Sequence, residues 1–144
     1  MIRSIYVMMR KADRCLATVY VDALRSELQP TGVKALLVEP GYFRTDFLAG
    51  PNPVFVQPEI EAYQTVASQM SGALQGMDGK QPGDPVKGVE TIIDVVKQEG
   101  VAHGRSMPNT LALGGDAVAY IREKCEEELR ILADWEEVSS RTAI

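Results

Sequence analysis

Pro40-Gly41 and Thr45-Asp46 are the residues of this 144-residue chain best placed by type and spacing to do chemistry. They follow the run Val33-Lys34-Ala35-Leu36-Leu37-Val38-Glu39, short, apolar and without alternation. Such a run suits a strand covered on both faces, as in a parallel sheet. In open α/β sheets ligands sit beyond the carboxyl ends of strands, so the turn at Pro40-Gly41 is a candidate ligand wall. Glycine lets backbone approach a flat ring closely, and proline sets the chain's exit. Out of context the same pair is a plain turn. Thr45 is of a type that caps a helix N-terminus, here on Asp46-Phe47-Leu48, and such a terminus also favours anions.

Other reactive side chains are sparse. His103 is the sole histidine, which removes a two-histidine metal site and most histidine-based triads. It follows the third helical pattern with no motif around it and reads as an exposed loop residue. No metal site is expected. Cys15 and Cys125 are the only cysteines, both in helical patterning, and read as reduced thiols. Met70, Met77 and Met107 are ordinary filler for a core, or contacts for a hydrophobic substrate.

The elements that must position these residues follow from periodicity. Leu16, Val19, Tyr20, Ala23, Leu24 and Leu28 recur at helical spacing over residues 13–28, and Pro30-Thr31-Gly32 stops that helix. After a proline-rich loop at 51–58, Ile60, Tyr63, Ala67, Met70 and Leu74 mark a second helix, with Pro58 and Glu59 suited to its first turn. Asp84-Pro85 reads as an N-cap followed by proline at the first helical position. Val86, Val89, Ile92, Ile93 and Val96 carry that helix towards Gly100. Residues 109–113 suit a short strand, and residues 2–9 are a further candidate. Asp116 is expected to cap a last helix with Val118, Ile121, Cys125, Leu129, Leu132 and Trp135 inward. Glu123, Glu126, Glu127, Asp134 and Glu136 fall on its solvated face.

Composition bounds the rest. With 45% hydrophobic and 24% charged residues the chain is a globular domain in type. A net charge of −5 supplies no basic face for nucleic acid. Apolar runs such as Ala35-Leu36-Leu37-Val38 are too short to cross a membrane. Residues 1–10 carry Arg3 and no cleavage site, so they do not read as a secretory signal; a cytoplasmic location is expected. Four helices with two or three strands do not complete a doubly wound sheet, because a parallel strand needs neighbours on both sides.

The stretch from Ala23 through Val33-Lys34-Ala35-Leu36-Leu37-Val38-Glu39-Pro40-Gly41-Tyr42-Phe43-Arg44-Thr45-Asp46-Phe47 resembles the short-chain dehydrogenase/reductase family. It is similar to the end of the helix that bears the family's catalytic pair, then its sixth strand and Pro-Gly turn. Leu111-Ala112-Leu113-Gly114-Gly115-Asp116 is similar to the last strand and following helix. The resemblance covers residues 17–140, with residues 1–16 divergent, in one partial domain spanning 1–144. It implies an α/β fold, the C-terminal part of a Rossmann-like doubly wound parallel sheet. It also implies NAD or NADP as cofactor, an alcohol/carbonyl pair as substrate, and Pro40, Gly41, Tyr42 and Thr45 beside the nicotinamide. The segment 46–80 is similar to the family's variable substrate loop.

The sequence departs from the family where catalysis resides. Counting back from Ala23, the positions of the family's tyrosine and lysine hold Arg10 and Arg14. Arginine supplies a cation and no proton donor. Tyr6 makes a Tyr-x-x-x-Arg echo one helical turn too far upstream. No glycine-rich phosphate motif occurs, so no catalytic residue is assigned and dinucleotide binding by the chain alone is doubtful. The expectation is an inactive, truncated dehydrogenase. Two alternatives are a non-catalytic partner in a homo- or hetero-oligomer with subunits of that family, and an incomplete gene model of an active enzyme. The partner reading rests on helices 12–28 and 85–99.

Overall fold

A computed structural model of the chain describes residues 4–8, 14–49 and 58–142. Arg10 and the loop at 51–57 lie outside the described residues, as do the side chains of Tyr6, Arg14 and Cys15. The elements are β1 (Ser4–Met8), α1 (Arg14–Leu28), β2 (Lys34–Pro40), α2 (Glu61–Gly76), α3 (Pro85–Lys97), β3 (Thr110–Leu113) and α4 (Gly115–Ser139). The sheet order is β1-β2-β3, with both pairings parallel. Ser4 stands opposite Lys34 and Met8 opposite Val38, while Leu37 faces Thr110 and Pro40 faces Leu113. β2 is therefore the central strand, and the short flanking candidates at 2–9 and 109–113 are its partners. The chain divides into two compact units, Met1–Gly41 with Pro108–Ile144, and Tyr42–Met107.

In the first unit α1 lies on one face of the sheet. Ala17 and Val21 are buried against Ala35 and Leu37, with Leu24 and Leu28 closing the edge of the cluster. Residues 35–39 are all buried, so the unalternating run is covered on both faces as its pattern predicts. A single 3₁₀ turn at Gln29–Thr31 ends α1, and Gly32 takes a φ of 70°, a conformation that favours glycine. Thr31 Oγ1 donates to the Leu28 carbonyl at 2.7 Å, satisfying one of the helix's last acceptors.

α4 differs from expectation in two ways. Its N-cap is Gly114, at φ 105°, with no side-chain cap; Asp116 lies inside the first turn. Most of its apolar stripe is not inward either: Val118, Leu129, Leu132 and Trp135 are exposed, as is Cys125, while Ile121 is half-buried and Ala117 is the one buried residue. Helical spacing of apolar residues defines a face without saying what covers it.

In the second unit Phe43 forms an isolated parallel bridge with Gly83. Arg44 N donates to the Gly83 carbonyl at 2.8 Å, and Gly83 N donates to the Tyr42 carbonyl at 3.0 Å. The Phe43 ring packs where side chains on Gly83 and Gly88 would stand, each within 2.7 Å of an added Cβ. α2 begins at Glu61 with Ile60 as N-cap, and Tyr63 N in its first turn donates to the Ile60 carbonyl, so Pro58 and Glu59 precede the helix instead of forming its first turn. α3 starts as its sequence indicates: Asp84 Oδ1 accepts from Val86 N at 2.9 Å and Lys87 N at 3.4 Å, and Pro85 occupies the first turn. It ends at Lys97, with Gln98 in the left-handed region at φ 58°. Asp84→Ala is expected to cost about 1 kcal/mol, read as a lower urea midpoint at unchanged slope.

Candidate functional site

The residues singled out by sequence fall on either side of the boundary between the two units: Pro40 and Gly41 end a stretch of the first, and Tyr42 begins the second. Within the first unit, Pro40 is the last residue of β2, and Gly41 N donates to the Leu113 carbonyl at 2.8 Å. That bond carries the parallel ladder one residue past the strand end. Gly41 has no left-handed φ. The Asp116 carboxylate occupies the space a Cβ on Gly41 would take, so a side chain there would have to push it aside. Within the first unit the first turn of α4 therefore comes close to this turn.

This contact is testable by a double-mutant cycle. Gly41→Ala is expected to destabilise by about 1–2 kcal/mol, because the added methyl displaces the carboxylate. In an Asp116→Ala background the same substitution is expected to cost only a few tenths of a kcal/mol. Equal costs in both backgrounds, measured by urea unfolding, would show that Asp116 does not constrain the turn.

Within the second unit Tyr42 and Thr45 are exposed. Thr45 has extended backbone, φ −129° and ψ 167°, and its Oγ1 accepts from Phe47 N at 3.4 Å. It caps the 3₁₀ turn Asp46–Leu48, as read from sequence. Three residues make one turn only, so the helix-dipole attraction for anions has little to build on here. Leu48, buried, anchors the far end of the turn.

His103 is exposed at the end of the short turn Gly100–Ala102, consistent with a loop residue. Met70 is exposed on α2, while Met77 and Met107 are half-buried. Among the described residues no group of histidine, cysteine, aspartate and glutamate is placed to hold a metal ion. Among them, too, no helix is long and apolar enough to cross a membrane. Sequence reasoning missed Asp116 as a neighbour of the turn and Arg25 as a tie between α1 and the sheet. Arg25 Nε donates to the Ala35 carbonyl at 3.0 Å, and a terminal nitrogen donates to the Asn109 carbonyl.

A crystal structure of a short-chain dehydrogenase from Streptomyces avermitilis aligns with a TM-score of 0.73 and 28% sequence identity, covering 98% of this chain and 53% of that one. The chain therefore spans about half the length of the dehydrogenase it matches. No protein-family model and no curated protein matches it. The fold is a mixed α/β arrangement matching part of a Rossmann-like short-chain dehydrogenase, with three parallel strands and four helices among the described residues.

Proposed function

We propose that this chain provides the substrate-loop side and one wall of the nicotinamide pocket in an NAD(P)-linked short-chain oxidoreductase acting on an alcohol/carbonyl pair. The observation that carries the reading is a buried central strand of parallel pairing, closed by Pro40-Gly41 and followed by the exposed hydroxyl of Thr45. The likeness to the Streptomyces dehydrogenase supports it. The cofactor, when bound, would supply or accept the hydride. By the resemblance, Pro40, Gly41, Tyr42 and Thr45 would stand at the nicotinamide end; for the pyrophosphate the sequence has no glycine-rich run. The family's proton-donor position holds Arg10 and the following cation Arg14, so the 144-residue polypeptide has no group assigned to move the substrate proton.

Two measurements test this reading. Alone, the chain is expected to oxidise no NAD(P)H with common carbonyls; a rate above background that disappears in Tyr6→Phe would contradict it. A chimera in which residues 17–140 replace the matching part of the Streptomyces dehydrogenase is expected to keep NAD(P)-linked turnover. Thr45→Ala in that chimera should lower kcat/KM roughly tenfold, the scale of one lost hydrogen bond. A folded but inactive chimera would sink the proposal.

A second reading has its own observation. Val19 and Tyr20 on α1 are 70% and 62% exposed, and Val86, Val89 and Ile93 on α3 are exposed as well. These helices are the ones expected to assemble family subunits. A non-catalytic partner role predicts co-elution with a full-length relative in gel filtration; separate elution of both species counts against it.

A further inference from the structure

We propose that Asp78-Gly79, in the turn that follows α2, is a site of spontaneous main-chain modification, where aspartate converts to isoaspartate through a cyclic imide. Asp78 is the one aspartate of this chain that glycine follows. The reaction asks for a carboxyl group that nothing holds and, on the next residue, a backbone N–H that nothing accepts. It also asks that no side chain crowd that nitrogen. The second unit meets all of these conditions at one turn.

Asp78 is exposed, and its carboxylate makes no ion pair or hydrogen bond among the described residues. The donors on either side are engaged: Asp78 N donates to the Gln75 carbonyl at 3.2 Å, and Lys80 N to the Met77 carbonyl at 3.0 Å. Between them, Gly79 N meets no acceptor among the described residues. Gly79 takes a φ of 69°, and apart from its chain neighbours no atom lies within 4 Å of where its Cβ would stand. Ring closure therefore has room. By contrast, Asp84 is followed by proline, which has no N–H to attack with. Asp94 is held through Val101 N at 3.0 Å, and Asp22 and Asp134 lie within helices, where N–H groups are spent on the turn before.

The chemistry balances with water alone. Gly79 N attacks Asp78 Cγ, and the N–Cγ bond forms while the amide proton and the carboxyl hydroxyl leave as water. Water then reopens the ring. Addition at Cγ restores aspartate. Addition at the Asp78 main-chain carbonyl breaks its bond to Gly79 N, so the chain runs on through Cβ and Cγ and the former carbonyl becomes a free carboxylate. Mass is unchanged, and the backbone gains a methylene.

That methylene enters just before Gln81 and Gly83. There Arg44 Nη2 donates to the Gln81 carbonyl at 3.1 Å and Arg44 N to the Gly83 carbonyl at 2.8 Å. A lengthened turn shifts both acceptors, so the modified chain holds the segment around Phe43 less firmly.

The full chain, kept for weeks at neutral pH and physiological temperature, is expected to accumulate isoaspartate at residue 78. Peptide mapping with electron-transfer fragmentation and carboxyl methylation by an isoaspartyl methyltransferase both read it. Asp78→Glu, which would need a larger ring, should lose the signal. Gly79→Ala should slow the reaction roughly tenfold, because a methyl on the attacking residue crowds ring closure. The folded chain should react within about threefold of the rate of the chain unfolded in urea, as for a loop that opens at almost no cost. Isoaspartate confined to the unfolded chain would show that the fold shields this turn, and overturns the proposal. Methylation that survives Asp78→Glu would place the reaction elsewhere and equally overturns it. In the modified chain, separated by chromatography, amide exchange at Arg44 and Gly83 should be faster; unchanged exchange at both defeats the link to the Phe43 bridge.

Discussion

Leu37→Ala is expected to lower the unfolding free energy by about 3 kcal/mol, a large share of a domain's usual margin. Leu37 is fully buried at the centre of the central strand and packs with Ala17, Val21 and Ala35 beneath Leu24 and Leu28. Two of those neighbours are alanines, too short to collapse into the space left behind, so the cavity persists and its cost adds to the lost transfer energy. The strand's backbone pairs on both sides, which prevents β2 from shifting to close the gap. In thermal unfolding the melting temperature should fall by roughly 10 °C. Lys34→Ala, at the exposed start of the same strand, should stay within about 0.5 kcal/mol. A loss under 1 kcal/mol for Leu37→Ala would mean that the α1–sheet cluster is not part of the cooperative fold.

That core was legible because its signals are local. The unalternating run at 33–39 implies a strand buried on both faces, and the spacing of Leu24 and Leu28 implies the helix that covers one of them. Asp84-Pro85 announces α3 through a cap whose hydrogen bonds reach only two and three residues along the chain. Thr45 was readable for the same reason: its partner is Phe47. Asp116 was misread because its type suits a cap, whereas its effect lies in the space beside Gly41, 75 positions earlier in the sequence. The bridge between Phe43 and Gly83 joins two loops with no periodicity to advertise it. The stripe on α4 shows the limit most clearly. Its residues are apolar at helical spacing whether they face this chain's own core or another molecule, and burial alone separates the two.

Arg25→Met is expected to destabilise the first unit by about 2 kcal/mol, through contacts that no local pattern reveals. The guanidinium donates from Nε to the Ala35 carbonyl at 3.0 Å and from a terminal nitrogen to the Asn109 carbonyl, 84 residues away. Asn109 O also accepts from Leu37 N at 3.0 Å, so one side chain braces α1, the central strand and the approach to β3. Methionine keeps most of the apolar stem and removes the charged fork, which isolates the hydrogen bonds from the packing. Arg25→Lys should recover only part of the loss, since one ammonium cannot meet two separated carbonyls in a planar fork. The 2.6 Å pair between Arg25 and Asp22 contributes little, because the Asp22 side chain is 59% exposed. Asp22→Ala is therefore expected to fall within about 0.5 kcal/mol of the unaltered chain. Amide exchange distinguishes the two accounts: Arg25→Met should speed exchange at Leu37, whose donor shares the Asn109 acceptor, and Asp22→Ala should not. If Asp22→Ala matched Arg25→Met in both measurements, the surface ion pair would be the brace and the long-range fork would carry no weight.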